Sequence, residues 1–567
     1  MLASILRFWN LHEADFVHDE LSALLRTKYH SFADLINLAV RPDGHPALTQ
    51  VFLYYWAPLV KYHEFWVKLP FVLAGLGSIL LIYLALLKVY PKTKTPLVAP
   101  AIMAASELFV YHHQIARPYA LGALFVSWAI YAYLAWFYQE KSKYHLVQFG
   151  VAASLAAYTH YLALLSVLII GSSALIRERE QVKLWWLTGL AVLLVFSPHL
   201  GIFFDQLSLG GVGQWLAKPG PLWLLDFFRY TFNFSFGYWS TAFLLIGLLI
   251  YGIKSPFKEA WAWFLICFGI AFFYSLLRNP VLQYSSLLFL SPVVFIFPFS
   301  KRAKPILVSA TSFTILSLLS LSLILNRDYF EEAQLSPAKE VKRFRPKQSN
   351  LKVYYHWSKE KWDFYREINQ EVLPGEYLET LAPENLAQEG FILLMDHESP
   401  AHWPLALCDY GFEILKSAEH FGFSIYQFGG LHKRESDEYC GFRLMEKKSL
   451  SQETNQYQNL GSLESSTYLA DLSQSSVVVQ FQNLKTGPNC HLVFQILDGD
   501  EQVNWFAHPI DSNSNYLSRP IGKYGINQYQ WRILIDQGQK PIAMEGEVSV
   551  RLVSGNEKIY GLVQDFK

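Results

Sequence analysis

The chain has 567 residues, of which 52% are hydrophobic, 16% aromatic and only 17% charged, and its formal net charge is zero. Soluble domains carry roughly 25% charged residues, so an ordinary soluble protein is excluded, and a neutral balance gives no electrostatic ground for a nucleic-acid partner. Of the four cysteines, Cys267 lies in an apolar run and Cys408, Cys440 and Cys490 lie further on; an odd number outside the apolar part is no disulfide framework, although one bridge can form.

Residues 1–325 are dominated by apolar runs, whereas residues 326–567 read as a soluble chain. The expected fold is therefore mainly α: a polytopic helical membrane bundle followed by a soluble α/β unit and a β-sandwich. Met1 to Trp9 is too short for a signal peptide and lacks a small-residue cleavage pattern, so no cleavable leader is expected. Residues 10–46 then form a polar segment caught between apolar helices. Apolar helices are predicted at 47–60, 66–88, 96–112, 117–138, 145–158, 160–176, 183–204, 238–253, 258–277, 281–299 and 304–325. A full crossing needs about 20 residues, so several of these are short and pack inside the bundle.

Basic residues fall in alternate connectors: Lys88, Lys92 and Lys94; Lys141 and Lys143; Arg177, Arg179 and Lys183; Lys254 and Lys258; Lys301, Arg302 and Lys304. Cytoplasmic loops collect Lys and Arg. These connectors therefore take the cytoplasmic side of a plasma (inner) membrane. Tyr111 to Arg117, His160, the loop 205–237, Arg278 to Pro280 and the C-terminal portion take the external side. One conflict stands. An external Asp19-Glu20 needs an odd number of crossings before Lys88, yet two helices are predicted there, so either 47–60 does not cross or a boundary is misplaced.

Residues 326–430 alternate strand-like runs (Leu351 to Tyr355, Phe391 to Met395, Phe423 to Phe428) with a helix-like one (Trp362 to Val372), the pattern of an α/β unit. A polar linker is expected at 431–452. Residues 453–567 show β-alternation at Ser476 to Phe481, His491 to Ile496, Gln528 to Ile535 and Val548 to Val553, with turn signals between, as in a β-sandwich. Its aromatics, Tyr457, Trp505, Phe506, Tyr516, Tyr529 and Trp531, suit either a core or a glycan-binding face.

Five stretches carry candidate chemistry. In His18-Asp19-Glu20 the acidic pair offers a general base that takes a proton from an acceptor, or else it opens a helix and complements the dipole. Arg41-Pro42-Asp43-Gly44-His45-Pro46 offers a cation, an acid and an imidazole before an apolar helix, or a polar interfacial turn. Arg117 before Pro118 puts a guanidinium at a helix mouth, where Arg holds phosphate in a bidentate fork or snorkels to the interface. The neighbouring His112 and His113 diverge on a helix and make a poor metal pair. Thr159-His160-Tyr161 interrupts an apolar stretch, either as a phosphate or sugar contact or as a structural histidine. The loop 205–237, with Gly210-Gly211, Trp215, Trp223, Phe227, Phe228 and Tyr230, suits an interfacial belt or a grip on a prenyl chain. No three or four ligands converge at metal-site spacing, so no cofactor is assigned and a divalent cation stays open.

Together these stretches resemble the C-type membrane glycosyltransferases, in the bacterial branch related to protein O-mannosyltransferases and lipid A aminoarabinose transferases. The resemblance rests on Asp19-Glu20, His45-Pro46-Ala47-Leu48, Glu64 to Pro70 with Lys68 where the family has Arg, Ala116-Arg117-Pro118-Tyr119-Ala120-Leu121, Thr159-His160-Tyr161 and Ser197-Pro198. It covers roughly residues 5–300. It implies inverting transfer of a sugar from a polyprenyl phosphate to a lipid, glycan or protein acceptor at the external face. Asp19 would be the base and Glu20 would shape the site. Arg41, Asp43, His45, Arg117, Tyr119, His160 and Arg278 would bind donor phosphate or substrate. Three departures stand out: only the last turns of the family's first span are present, Ala47 replaces the second Pro of the His-Pro-Pro stretch, and Gln283 replaces the Arg of the late Pro-x-x-Arg-Tyr motif, with Arg278 nearby as a substitute. The alternative is a non-catalytic or differently acting cell-envelope glycan polymerase, ligase or transporter. A transporter, however, buries its polar residues at mid-membrane in broken helices, whereas these gather at span ends.

Overall fold

Four helices among the described residues are long and apolar enough to cross a membrane: Glu64–Val89, Pro118–Tyr138, Val182–Ser208 and Glu259–Leu277. The structure is a computed structural model. It describes residues 1–9, 11, 12, 14–208, 218–233, 237–254, 257–295, 305–325, 336–345, 350–396, 399, 400, 402–420, 423–431, 443–450, 457–463, 475–486, 490–498, 501–510, 515–520, 530–536 and 545–554. Its contacts divide the chain into Met1–Ser336 and Pro337–Asp565.

The first unit is helical. After α1 (Leu2–Phe8), the polar segment folds into α2 (His18–Leu25), α3 (Phe32–Asp34) and a π-turn over Leu35–Val40. Next come α4 (Ala47–Leu59) and α5 (Glu64–Val89). The predicted helix 96–112 is broken at Ser106, whose ψ of 132° separates α6 (Val98–Ala105) from α7 (Glu107–Gln114). Long-range polar groups stabilise the break. Arg7, fully buried, donates to the carbonyls of Met103 (2.7 Å) and Ala104 (2.9 Å). Asn233 donates to Ala105 O at 3.2 Å and accepts from Glu107 N at 2.6 Å. The open ends of both half-helices are thus satisfied. Then follow α8 (Pro118–Tyr138), α9 (Lys143–Ala157), α10 (Tyr161–Arg177), α11 (Val182–Phe196) and α12 (Leu200–Ser208).

The predicted loop 205–237 is only partly a loop: α12 runs on to Ser208 and α13 spans Trp223–Thr231, packing Trp223, Phe227 and Tyr230 around Tyr284. Gly210, Gly211 and Trp215 lie outside the described residues. After α14 (Tyr238–Lys254) and α15 (Glu259–Leu277), the described part of the predicted helix 281–299 appears as two short pieces, α16 (Tyr284–Leu287) and α17 (Ser291–Val294), with Pro292 in the first turn of the second, where its missing N–H breaks no helical hydrogen bond. The last membrane-part helix is α18 (Pro305–Leu325).

The direction of the helices sorts the two ends of this unit. Lys141 pairs with Glu178 at 3.1 Å and Arg177 with Glu259 at 2.9 Å. The end of α8 therefore meets the end of α10 and the start of α15. At the other end Leu48 N donates to Tyr158 O at 2.8 Å, and Tyr158 OH to Val195 O at 2.8 Å. The helix α4 starts there, and Lys68 of α5 is there again beside Glu20 at 3.2 Å. Thirteen-residue α4 therefore does not cross, and α5 alone separates Asp19-Glu20 from Lys88. The conflict in the crossing count disappears.

The second unit begins with α19 (Pro337–Phe344) and a five-stranded sheet. Its strands are β1 (Lys352–His356), β2 (Glu376–Tyr377), β3 (Gly390–Asp396), β4 (Ile414–His420) and β5 (Phe423–Gly429), in the order β2-β1-β3-β5-β4, with β1 parallel to both β2 and β3. Helix α20 (Lys359–Ile368) covers one face, where Tyr355 stacks on Trp362 at 4.4 Å. Helix α21 (Trp403–Tyr410) joins the core on the opposite face with Tyr354, Leu393 and Met395. The remainder is a sandwich of two four-stranded sheets. One has the order β10-β9-β12-β7 and the other β11-β8-β13-β6. Here β6 is Arg443–Leu450, β7 Tyr457–Leu463, β8 Ser475–Lys485, β9 Cys490–Asp498, β10 Glu501–Ile510, β11 Tyr516–Pro520, β12 Gln530–Asp536 and β13 Glu545–Ser554. Strand β6 lies inside the stretch expected to be a linker. Its polar sequence suits an edge strand, where one side of the ladder faces solvent. Trp531 is core, Tyr457 packs on Trp505 at 5.9 Å, and Tyr529 lies outside the described residues.

Candidate active site

Three helices of the first unit begin at one place. Pro46 precedes α4, Arg117 precedes α8 and His160 precedes α10, each at the N-cap position. Proline at the first turn of α8 fits because no intrahelical partner awaits its missing N–H. Ring contacts bring the three starts together: His45 lies 5.1 Å from His160 and 6.4 Å from Tyr119, and Tyr119 lies 5.9 Å from His160. His112 packs edge-on to Tyr119 at 4.8 Å, and Phe289 closes on His160 at 5.1 Å. The loop 41–46 is held by a polar bracket. Gln206 donates to Val40 O (2.6 Å) and His45 O (3.0 Å), Tyr161 OH bonds Gln206, and Arg41 pairs with Asp205. Arg26 pairs with Asp43 at 2.9 Å.

His160 accepts from Leu162 N at its Nδ1, at 3.1 Å. That fixes the neutral tautomer with hydrogen on Nε2 and presents a donor to the cluster. Both ring nitrogens of His45 and the Nε of Arg117 are buried without a hydrogen-bond partner. Buried polar atoms in native proteins are nearly always paired, so three orphans in one cluster mark where an acceptor-rich ligand fits.

Electrostatics ties Asp19 to the same group. Burial works against the Arg117 charge, yet Asp19 first, then Asp43, Tyr119 and Glu20, raise its pKa above the ordinary value. Burial would raise Asp43, but His45, Arg26 and Arg117 hold it below the usual carboxylate range. Burial lowers His45 despite the opposing pull of Asp43. His160 is lowered well below its usual range, by burial and then by His45 and Arg117. The site is thus two acids around one guanidinium, with two imidazoles kept neutral.

Glu20 is used differently from Asp19. It is fully buried, accepts from Val17 N at 3.0 Å as a capping-box residue, and accepts from Ala116 N at 2.7 Å. Lys68 meets it at 3.2 Å and also donates to Asp15 O. This carboxylate therefore links the start of α2 to the residue just before Arg117.

Of the sequence-derived candidates, the structure brings together Asp19, Asp43, His45, Arg117, Tyr119 and His160. Arg41 is set apart by its pairing with Asp205. Arg278 is exposed at the end of α15, where the chain leaves the helix, and it is Gln283 that reaches the cluster, accepting from Tyr119 OH at 3.4 Å. The histidine pair diverges: His112 Nδ1 engages Leu108 O at 2.7 Å, whereas His113 accepts from Arg7 Nε at 3.1 Å. No cluster of three His, Cys, Asp or Glu fit to hold a metal occurs among the described residues. Arg26, Lys68 as the Glu20 partner and Gln206 are not legible in the sequence, where an isolated amide or cation beside an apolar helix is their one signal; Gln283 stands there only as a departure from the late Pro-x-x-Arg-Tyr motif.

Residues 44–202 match the family model of the dolichyl-phosphate-mannose-protein mannosyltransferases. No curated protein matches the sequence. Among solved structures the chain is similar to ArnT from Cupriavidus metallidurans bound to undecaprenyl phosphate, at 11% identity and a TM-score of 0.45 over 75% of this chain and 96% of that one. It is also similar to the S. cerevisiae protein O-mannosyltransferase complex bound to the sugar donor, at 16% identity and a TM-score of 0.28 over 40% and 35%. The arabinofuranosyltransferase AftD from Mycobacteria gives 9% identity and a TM-score of 0.40 over 99% and 58%. The matched segment holds His45, Arg117 and His160, the three residues at the converging helix starts.

Proposed function

We propose that the chain catalyses inverting transfer of a sugar from a polyprenyl-phosphate donor to a lipid, glycan or protein acceptor at the external face of the plasma membrane. The observation that carries this is the set of orphaned polar atoms at the helix starts, Arg117 Nε and the two ring nitrogens of His45, with the His160 ring and the Asp19 charge beside them. Helix N-termini favour anions by about 0.3–1 kcal/mol each, and a guanidinium adds a charge-assisted fork. A phosphate seated there is stabilised most as it gains charge on leaving.

The reaction follows from these placements. Asp19 accepts the proton of the acceptor hydroxyl or amine, whose oxygen or nitrogen attacks the anomeric carbon. The bond from that carbon to the donor phosphate breaks on the opposite face. The polyprenyl phosphate leaves with the electron pair, held by Arg117. Glu20 positions the Arg117 segment and takes no proton.

Two observations support the external face. The connectors that carry Lys141 and Arg177 lie at the end of the helical unit away from Arg117, the side that cytoplasmic loops occupy. Cys408, in the second unit, is disulfide-bonded, and disulfides persist outside the reducing cytosol.

The test is Asp19→Asn in purified protein supplied with polyprenyl-phosphate mannose, glucose and arabinose, scoring release of the lipid phosphate. Loss of transfer with unchanged expression and unfolding is expected. Full activity in that variant removes Asp19 as the base.

A further inference from the structure

The second unit carries a polar and aromatic cluster that the transfer site does not use. It sits at the carboxyl ends of β1 and β3. The chain leaves β1 toward α20 on one face of the sheet and leaves β3 toward α21 on the other, as the Tyr355–Trp362 stack and the Tyr354, Trp403 and Met395 core record. Adjacent parallel strands whose connections diverge in this way open a crevice at their carboxyl ends, where ligands of α/β sheets bind.

His356 ends β1 and Asp396 ends β3. Ser399 joins them: its hydroxyl lies 2.8 Å from His356 Nδ1 and 3.0 Å from Asp396 Oδ1, and accepts from Asp396 N at 2.9 Å. This is not a hydrolytic triad. There the imidazole stands between acid and hydroxyl, whereas here the hydroxyl stands between imidazole and acid. Ser399 instead fixes the His356 ring by its Nδ1, and no described residue engages Nε2. Tyr377, on the two-residue edge strand β2, lies nearly parallel to the His356 ring at 6.2 Å and 19° and is 38% exposed. Trp403 backs the imidazole edge-on at 5.0 Å.

We infer that this crevice is a binding subsite for a pyranose residue of a saccharide, separate from the transfer site. The cluster brings one exposed aromatic ring, Tyr377, together with an imidazole whose Nδ1 lies 3.6 Å from the Asp396 carboxylate. Flat apolar surface with a few convergent polar groups is how small-ligand sites are built. A pyranose has a C–H face to lay on Tyr377 and hydroxyls that both donate and accept. A nucleotide does not fit. The β1 exit reads Trp357-Ser358-Lys359, without the glycines that let backbone approach a pyrophosphate, and the Asp396 carboxylate repels phosphate.

The full-length protein in lipid nanodiscs tests this by saturation-transfer NMR with the methyl glycosides of mannose, glucose, galactose and N-acetylglucosamine. At least one glycoside is expected to show transfer that survives Arg117→Ala and weakens at least about fivefold in both Tyr377→Ala and His356→Ala, the loss of one aromatic or hydrogen-bonding contact. Tyr377 is an exposed edge residue, so its truncation leaves the sheet core intact and reports binding even where His356→Ala perturbs folding. Absence of transfer with all four glycosides, transfer unchanged by Tyr377→Ala, or transfer abolished by Arg117→Ala overturns the proposal. Failure here leaves the Asp19 mechanism standing, since that experiment reads release of the lipid phosphate.

Discussion

Removal of Lys68 tests whether Glu20 braces the transfer site or merely occupies it. Both side chains are essentially excluded from solvent, at 1% and 0% exposure, and they meet at 3.2 Å. Lys68→Met leaves the Glu20 carboxylate buried with only the N–H groups of Val17 and Ala116 as partners. Breaking a buried pair from one side costs about 3–5 kcal/mol. Replacing both, as Lys68→Met with Glu20→Gln, removes the uncompensated charge. The amide offers one oxygen to two N–H groups, so one stays unsatisfied, at about 1–3 kcal/mol. The second substitution is thus expected to recover part of what the first loses. Reversible SDS-driven unfolding in mixed micelles, followed by tryptophan fluorescence, measures all four corners of the cycle. The kinetic counterpart is a raised donor KM, because Ala116 N carries the brace to Arg117. Additive losses in the double variant, or a loss under about 1 kcal/mol for Lys68→Met, refute the brace.

Arg117→Ala is expected to weaken donor affinity about 10- to 150-fold, the worth of a charge-assisted hydrogen bond at about 1.5–3 kcal/mol, with a far smaller change for the acceptor; separate binding titrations check this, and equal losses point to a structural role. Gly75→Ala puts a Cβ 2.3 Å from His113 Cγ, and His113 is pinned by Arg7 at 3.1 Å. The expected cost is about 1–3 kcal/mol of overpacking strain, read in the same unfolding assay, and an unchanged midpoint contradicts it. The folded pKa values of His45 and His160 lie below their ordinary 6.5, so the unfolded chain binds more protons than the folded one just below that pH. Stability is then complete above 6.5 and falls as pH drops toward the folded values. Asp43, with a folded pKa below its ordinary 3.8, adds a further loss as pH falls below that value. The double variant His45→Gln with His160→Gln should flatten the slope between pH 5 and 7, by about what two histidines contribute, and an unchanged slope refutes the assignment.

How much of this was legible in the sequence follows from where each signal comes from. Arg117-Pro118, His45-Pro46 and Thr159-His160 sit at N-caps, where local residue chemistry decides whether a helix can start. A reader of one sequence sees such starts, and here the starts are also the site. The strands of the α/β unit were legible for a similar reason, since alternation is local. What escaped is non-local. The break at Ser106 depends on Arg7 and Asn233, which lie about a hundred residues away on either side, and no window over 96–112 contains them. Lys68 reads as one cation opening an apolar helix until Glu20 is placed against it. Arg41 reads as a free cation until α12 brings Asp205 to it. Arg278 and Gln283 make the contrast sharpest. Charge alone favoured the arginine, yet the chain turns after α15 so that Gln283, Ser285 and Tyr284 face inward and Arg278 faces out. A neutral amide thus stands at the point where the family resemblance expects a second guanidinium, and in the proposed reaction this leaves Arg117 with the helix starts as the principal counter-charge for a leaving phosphate. Under that proposed reaction, removal of Arg117 costs more in donor affinity here than it would in a site with two arginines.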